Sequence, residues 1–225
     1  MDGRARRWQE HNDQRRRIVV DAAIELIEAE GPLVSLQAIG ERAGLSRSVV
    51  YRHFADRREL DVAVQAQVLE SLWEILLPSV QLEGTIRQTV ERVIAAYVGW
   101  AVAHPQLHQL ADADTVSDGE RPLQQGLDMI SERIGELVVL ALSLSGIGPE
   151  VMQRAAADPL IHGLVGMVFS TVRRWVHLGE TYPSAEELIV SITDAVVVLF
   201  GARARSYGLT IDPDIPLEQV VVSPA

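Results

Sequence analysis

Apolar residues recur at helical spacing along almost the whole chain. In residues 14–30, Val19, Ala23, Leu26 and Ile27 fall at i, i+4, i+7 and i+8, which places them on one face of a helix. Runs of strictly alternating apolar and polar residues, which would indicate strands, are missing from the sequence. The pattern therefore predicts an all-α protein with about nine helices.

Capping residues and helix breakers mark where these helices begin and end. Pairs that fit the capping-box pattern, with an acid or amide three residues after the cap, are Asp56–Glu59, Thr85–Gln88 and Ser184–Glu187. The predicted helices cover residues 14–30, 35–43, 46–54, 56–77, 85–103, 105–112, 120–144, 160–178 and 184–207. A further short helix is predicted over residues 149–157, and residues 113–119 read as a loop.

Residues 35–60 contain two short amphipathic helices that meet at a Gly44-Leu45-Ser46 corner, and a third helix follows directly. This arrangement is typical of a helix-turn-helix, in which the second helix of the pair lies in the major groove of DNA. A plain helical hairpin with a solvated arginine face is the alternative, because short motifs match by chance. The correct sorting of apolar and polar positions through all three helices favours the DNA-binding interpretation.

The helix over residues 46–54 directs Val50 and Phe54 inward and leaves its other side chains for DNA. Arg47 is placed to bind phosphate or to read guanine, and Val49 to touch a thymine methyl group. Ser35 caps the supporting helix next to a second phosphate, Ser46 caps this helix, and Arg57 starts the following helix. The candidate DNA-binding residues are Ser35, Ser46, Arg47, Ser48, Val49, Tyr51, Arg52, His53 and Arg57.

Residues 14–61 resemble the DNA-binding domain of the TetR family of transcriptional regulators. The matching positions are Gly31, Ser35, Ile39, Gly40, residues 43–46, residues 51–54, Arg57 and Leu60. The resemblance implies phosphate contacts for Ser35, Tyr51, His53 and Arg57, and base-edge contacts from Arg47 to Val49. Gly40 stands where the family commonly has Ala, Arg57 where it has Lys, and Val49 where it has a small polar residue. The operator sequence therefore does not transfer.

The charge of the chain is unevenly distributed. Its formal net charge is −11, yet residues 1–60 hold 11 Arg and 10 acids, whereas residues 61–225 hold 9 Arg and 21 acids. An acidic body with a locally basic end disfavours a non-specific DNA binder, because non-specific affinity depends on neutralising phosphates. The absence of cysteine excludes disulfides and thiolate metal sites and fits a reducing cytoplasm. We expect a cytoplasmic protein without a membrane partner, since no apolar run is long enough to span a bilayer.

We divide the chain into four segments. Residues 1–13 form an Arg-rich N-terminal arm, and residues 14–61 form the helix-turn-helix DNA-binding domain. Residues 62–208 form a larger helical domain for ligand binding and dimerisation, and residues 209–225 form an extended tail.

The last two helices are apolar on unusually wide faces. One explanation is a dimer in which both helices pack against their copies, and a well-buried monomer core is the alternative. The predicted interface residues are Gly163, Gly166, Ser170, Trp175, Ile192, Val196 and Leu199. The resemblance implies a homodimer, and two-fold symmetry would match a palindromic operator.

The middle helices are expected to enclose a ligand pocket. Its candidate residues are Tyr97, Trp100, His104, Met129, Arg133, His162, Phe169 and Arg173. Each of these is more often an ordinary core or surface residue than a ligand contact. His104, His108 and Asp112 have the spacing of metal ligands on one helix face, but Pro105 disturbs that helix and no fourth ligand is evident. We therefore predict neither a metal nor another cofactor.

These features favour a sequence-specific DNA-binding transcriptional regulator, a repressor released from its operator by a small, largely apolar effector. A transcriptional activator, a metal-responsive regulator of the same fold and a small-molecule-binding enzyme are the alternatives. The motifs of hydrolases, zinc proteases, nucleotide-binding loops and dinucleotide-binding folds are missing, so we do not expect an enzyme.

Overall fold

The computed structural model describes residues 3–80, 83–112, 122–144, 148–150, 153, 159–179, 182–216 and 223–224. Within them the chain forms nine α-helices: α1 Gly3–Glu30, α2 Leu36–Arg42, α3 Arg47–His53, α4 Arg57–Leu76, α5 Ile86–Ala103, α6 Pro105–Asp112, α7 Pro122–Leu144, α8 Leu160–His177 and α9 Ala185–Ser206. A 3₁₀ helix, Leu77–Ser79, follows α4. Strands β1 (Leu209–Thr210) and β2 (Ser223–Pro224) pair antiparallel.

The all-α prediction is confirmed, and the ends of α2 to α9 lie within about two residues of the predicted ones. Helix α1 differs, because it begins at Gly3 and includes most of the predicted N-terminal arm. Its first turns contain Arg, Gln and Glu, which favour helix, and no proline. Strands β1 and β2 have two residues each and are too short to show alternation in the sequence. The loop at 113–119 and most of the predicted 149–157 helix lie outside the described residues.

The chain divides into two compact units. Residues 1–71 and 104–124 form the first unit, and residues 72–103 and 125–225 form the second. The first unit therefore extends beyond the predicted DNA-binding domain and includes α6. The amide of Gln65 on α4, which is fully buried, donates a 2.7 Å hydrogen bond to the carbonyl of Leu110 on α6. His104 also contacts Glu28 of α1 through its Nδ1 atom.

The core of the first unit contains most of the residues whose spacing predicted a buried face, together with Leu60 and Val64. Side chains that are at most 1% exposed there are Val19, Ala23, Ile27, Ile39, Val50, Phe54, Leu60 and Val64. Helix α1 packs against α2, α3 and α6. The apolar face of α1 is thus the support on which the two short helices rest.

Arg16 of α1 ties α3 and α4 together. Its guanidinium donates to the carbonyl of His53 at 2.5 Å and to Oε1 of Glu59 at 2.9 Å. The same group lies 4.2 Å from the ring centroid of Phe54. The other carboxylate oxygen of Glu59 accepts the backbone N–H of Ala55 at 2.7 Å, while Asp56 accepts the N–H of Glu59 at 2.8 Å. Asp56 therefore caps α4 as predicted, and Glu59 reaches back to Ala55.

The second unit is organised around α5, α9 and the segment that follows α9. Arg87 on α5 pairs with Asp194 of α9 and donates to Asp214 at 2.6 Å, and its backbone N–H donates to the carbonyl of Pro213. The capping boxes predicted at the starts of α5 and α9 are both confirmed. None of the described helices is both long and apolar enough to cross a membrane.

Replacing Phe54 should destabilise the first unit strongly. Phe54 is fully buried and also supports the Arg16 guanidinium, so Phe54→Ala leaves a cavity and removes a cation–π contact. We expect a loss of about 3–5 kcal/mol in the free energy of unfolding, measured by chemical denaturation. Leu33→Ala is the control, because Leu33 is 96% exposed and its change should fall within about 0.5 kcal/mol. Equal effects of the two substitutions would contradict this packing.

The contribution of Glu59 should depend on pH. The backbone N–H of Ala55 lowers the pKa of Glu59 most, burial opposes that shift, and the hydrogen bond and charge of Arg16 lower the pKa further. Because its folded-state pKa is lowered, the ionised Glu59 stabilises the fold fully above the ordinary glutamate pKa of about 4.3. This stabilisation is lost as the pH falls through the lowered pKa. We expect Glu59→Gln to cost less than about 1 kcal/mol at pH 7, since the side chain is 41% exposed.

Denaturation of wild type and Glu59→Gln at pH 7 and pH 3 measures this effect. The difference between the two proteins should shrink at the lower pH. Glu30→Gln, an exposed carboxylate at the end of α1, serves as control and should show no such convergence. A difference that persists unchanged at pH 3 would argue against the charged hydrogen bonds of Glu59.

Candidate DNA-binding surface

Helices α2 and α3 meet at a tight turn with unusually close packing. Gly44 adopts a φ of 66° in this turn, and the N–H of Leu45 donates to the carbonyl of Gly40 at 2.9 Å. A Cβ atom at Gly40 would lie 3.1 Å from Cγ2 of Val50 and 3.2 Å from the carbonyl oxygen of Leu45. Both distances are shorter than ordinary van der Waals contact. Glycine at this position therefore lets the two helices approach more closely than alanine would.

Helix α3 has a buried face and an open face, as its sequence predicted. Val50 is 1% exposed and Phe54, which follows the helix, is fully buried. The exposed side chains of α3 are Arg47, Ser48, Tyr51 and Arg52, and those half-buried are Val49 and His53. The guanidinium of Arg47 lies 5.4 Å from the ring centroid of Tyr51, within cation–π range. The open face thus presents two arginines and an aromatic ring.

The two serines predicted to cap α2 and α3 behave differently. Ser35 Oγ accepts the N–H of Ala38 at 3.1 Å, so its capping role is confirmed. Ser46 occupies the N-cap position of α3, but among the described residues its hydroxyl bonds the hydroxyl of Ser48 at 3.1 Å and caps no backbone N–H. The side-chain cap predicted for Ser46 was therefore wrong. Both serines are exposed.

Arg57 is committed to bonds inside the protein. Its Nε donates to Asp61 at 2.7 Å, its Nη2 donates to the carbonyl of Pro32 at 2.8 Å, and its Nη1 contacts the carbonyl of Val34. Burial raises the pKa of the Asp61 carboxyl, and the hydrogen bond from Arg57 opposes that rise. The predicted phosphate contact of Arg57 competes with these three bonds.

His53 is an uncharged imidazole at neutral pH. Burial lowers its pKa first, and the positive charges of Arg15, Arg52 and Arg16 lower it further, with a smaller effect of His11. Its Nδ1 atom is buried and has no hydrogen-bond partner within the part of the chain that the structure describes. A phosphate contact by His53 would therefore use a neutral N–H group.

Arg16 is the functional residue that the sequence analysis missed. It entered the sequence analysis only as one of the 11 arginines in residues 1–60, although it lies three and four residues before Val19 and Val20. That spacing places it on the buried face of α1, where a long side chain contacts the neighbouring helices. The spacing was the available signal.

The predicted ligand residues are only partly brought together. Tyr97 and Phe169 stack in the second unit, with ring centroids 6.5 Å apart and an interplanar angle of 20°. Trp100 is buried, Met129 is half-buried, and Arg133 lies 5.2 Å from the ring centroid of Trp73.

Three other predicted ligand residues are His162, Arg173 and His104. Nδ1 of His162 is 3.1 Å from Asp128, Arg173 is exposed, and His104 belongs to the first unit. The prediction that His104 shares a pocket with Tyr97 and Phe169 has no support from this grouping. Over the described residues, no three His, Cys, Asp or Glu side chains come together as a metal site.

The predicted dimer residues fall into two groups. Gly163, Ser170 and Leu199 are exposed, and Gly166 and Val196 are half-buried. Trp175 and Ile192 are each 4% exposed, and the indole N–H of Trp175 donates to the carbonyl of Pro183 at 2.7 Å. Trp175 and Ile192 therefore leave little surface for a second copy to contact, because both already lie in the core of their own chain.

Comparison with known proteins agrees with this geometry. Residues 19–64 match the family model described as bacterial regulatory proteins, tetR family. A relative from Mycobacterium tuberculosis, the uncharacterized HTH-type transcriptional regulator Rv0472c, is 25% identical over 198 residues, which cover 85% of this chain and 80% of the relative. The nucleoid occlusion factor SlmA of a Marinomonas species is 21% identical over 165 residues, covering 73% of this chain and 84% of that protein.

Solved structures share the fold over most of the chain. A tetR-family transcriptional regulator from Streptomyces coelicolor superposes with a TM-score of 0.64 at 18% identity, covering 87% of this chain and 86% of that one. A putative transcriptional regulator from Rhodococcus sp. RHA1 gives a TM-score of 0.64 at 19% identity, covering 80% and 94%. The matched helix-turn-helix marks residues 19–64 as a tetR-type DNA-binding domain, and most of the chain shares the fold of solved tetR-family regulators and is similar to HTH-type transcriptional regulators.

Proposed function

We propose that the chain is a homodimeric, sequence-specific repressor that leaves a palindromic operator when a small, largely apolar effector binds its second unit. The observation that carries this proposal is the open face of α3. Arg47, Ser48, Tyr51 and Arg52 are exposed there, while Val50 and Phe54 anchor the helix from behind. A short helix with a buried back and a polar, basic front fits the major groove.

The side chains of this surface divide into base readers and phosphate binders. Arg47 is long enough to pair bidentately with a guanine, and Ser48 and Val49 are small enough to let the helix approach the bases. Phosphate contacts fall to Ser35 and Ser46 at the helix starts and, on α3, to Tyr51, Arg52 and His53. Phosphate contacts fix the register, so specificity depends on the first group.

The charge distribution supports specific rather than general DNA binding. Residues 61–225 hold 21 acids against 9 Arg, so most of the chain repels phosphate. Non-specific affinity rests almost entirely on phosphate neutralisation and would be weak here. Base-edge contacts by α3 must then supply a larger share of the binding free energy.

Exposed apolar side chains on α9 support the homodimer. Val190, Val198 and Leu199 are 48%, 64% and 42% exposed, and Gly163 and Ser170 leave room for a close helix contact on α8. Burial of such a face against a second copy would remove it from water. A two-fold dimer presents two α3 helices to half-sites about 34–36 Å apart, or a multiple of that distance.

Repression by occupancy is the simplest form of regulation that such a molecule can perform. A repressor needs only to cover its operator, whereas an activator also needs a surface that recruits the transcription machinery. The stacked Tyr97 and Phe169 rings of the second unit suit a flat, apolar effector. The effector releases DNA only to the extent that it binds the non-DNA-binding conformation more tightly.

Arg47→Ala should reduce specificity more than general affinity. Loss of a bidentate base contact costs about 1–3 kcal/mol against the cognate sequence. We expect the Kd for a duplex selected from a random pool by the wild-type protein to rise at least about tenfold, with a much smaller change for random DNA. Arg205→Ala, an exposed arginine of α9, is the matched control. An equal loss of affinity for the selected duplex and for random DNA would show that Arg47 does not read a base.

Light scattering tests the dimer. We expect a mass of twice the 24.7 kDa chain at micromolar concentration. Val198→Glu introduces a charge into the proposed interface and should shift the protein towards the one-chain mass. Leu140→Glu introduces the same charge on α7, where the side chain is 50% exposed, and should leave the mass unchanged. A one-chain mass for the wild type would reject the dimer.

A further inference from the structure

Arg57 stands where the family resemblance implies a phosphate contact, yet each of its three guanidinium nitrogens already has a partner within the protein. Nε bonds Asp61 at 2.7 Å, Nη2 bonds the Pro32 carbonyl at 2.8 Å, and Nη1 contacts the Val34 carbonyl. The side chain is only 27% exposed. We propose that Arg57 is a positioning residue that fixes the loop between α1 and α2, and not a contact to a DNA phosphate.

The loop that Arg57 holds leads directly to the first residue that faces DNA. Gly31 ends α1 with a φ of 91°, and Pro32 and Val34 present their carbonyls to Arg57. Val34 is 7% exposed, which fixes the loop on its other side. Ser35 is the next residue, and its hydroxyl caps α2 at Ala38. The bonds of Arg57 therefore set where Ser35 and the first turn of α2 lie.

Asp61 orients the guanidinium. It is one helical turn after Arg57 on α4 and is 16% exposed, so it is poorly placed to meet solvent or DNA. Its bond to Nε turns the two terminal nitrogens towards the loop carbonyls. Since an acidic side chain cannot bind phosphate, Asp61 offers a way to disturb Arg57 without removing a cation from the DNA-binding surface.

The substitution Arg57→Lys distinguishes a phosphate contact from a role in holding the loop. A lysine ammonium can bind a phosphate as a point charge, and it retains the charge of arginine. It cannot reproduce a planar fork that bonds a carboxylate on one side and two carbonyls on the other. A phosphate contact should therefore survive Arg57→Lys, whereas the loop clamp should not.

The first experiment measures DNA binding and rests on the proposed function. The Kd of the full-length protein for a duplex selected by the wild type is followed against salt concentration. We expect Arg57→Lys and Asp61→Asn each to weaken binding about tenfold while the salt slope stays at the wild-type value. Arg52→Gln, which removes an exposed arginine of α3, is the control and should lower the slope by about 0.9.

Two results of this experiment would overturn the inference. If Arg57→Lys binds as wild type and Arg57→Gln lowers the salt slope by about 0.9, Arg57 contacts a phosphate. If Arg57→Lys and Asp61→Asn lose thermal stability but their folded forms bind DNA with unchanged affinity, the role of Arg57 is only structural.

The second experiment needs no DNA, so it separates a failure of this inference from a failure of the proposed function. Water exchange of the Ala38 and Ile39 amides is measured by NMR in the full chain, because these amides bond the side chain and carbonyl of Ser35. We expect exchange about tenfold faster in Arg57→Lys and in Asp61→Asn, with the Val64 amide on α4 unchanged. Unchanged exchange at Ala38 and Ile39 in both variants would overturn the inference, even if the wild type selected no duplex at all.

Discussion

The position of α3 depends on the guanidinium of Arg16. Seven residues are too few for a helix that is stable by itself, so α3 must be fixed from outside. Arg16 binds the last carbonyl of that helix, lies over Phe54 just beyond it, and bonds Glu59 at the start of α4. A cation at a helix C-terminus also complements the helix dipole. One side chain from α1 therefore fixes the end of α3 and the direction of α4.

Arginines that bond within the protein contribute little to the attraction of residues 1–60 to DNA phosphates. Arg16 and Arg57 donate hydrogen bonds to Glu59, Asp61 and backbone carbonyls, and the two carboxylates largely balance their positive charges. Burial and then the cluster of arginines also lower the pKa of His53. The attraction to phosphate that remains on α3 comes from Arg47 and Arg52. A formal charge count over residues 1–60 treats all of these groups alike and conceals this division.

Much of the fold was predictable because its signals are local. The Thr85 and Ser184 capping boxes involve bonds between residues three apart, and both predicted helix starts are confirmed. The partners of the two arginines were not predictable, since Arg16 and Glu59 are 43 residues apart and Arg57 and Val34 are 23 apart.

Packing between segments that are distant in the sequence was the other feature that could not be predicted. The bond between Gln65 and Leu110, which joins α6 to the first unit, spans 45 residues. The apolar pattern of α8 and α9 likewise could not tell a core side chain such as Trp175 from an interface side chain. Both are apolar, and only the folded chain shows which ones it already covers.

Gly40 shows how these local and distant requirements are reconciled. Glycine within α2 lowers its intrinsic stability by about 1 kcal/mol relative to alanine, in a helix that has only seven residues. The loss is tolerated because the missing methyl group leaves room for Val50, whose Cγ2 would lie 3.1 Å from a Cβ at this position. Close packing against Val50 then stabilises both helices, and the Ser35 cap stabilises the start of α2. The rigidity of the helix-turn-helix thus comes from tertiary contacts at its corner and its two ends, and helix propensity contributes little.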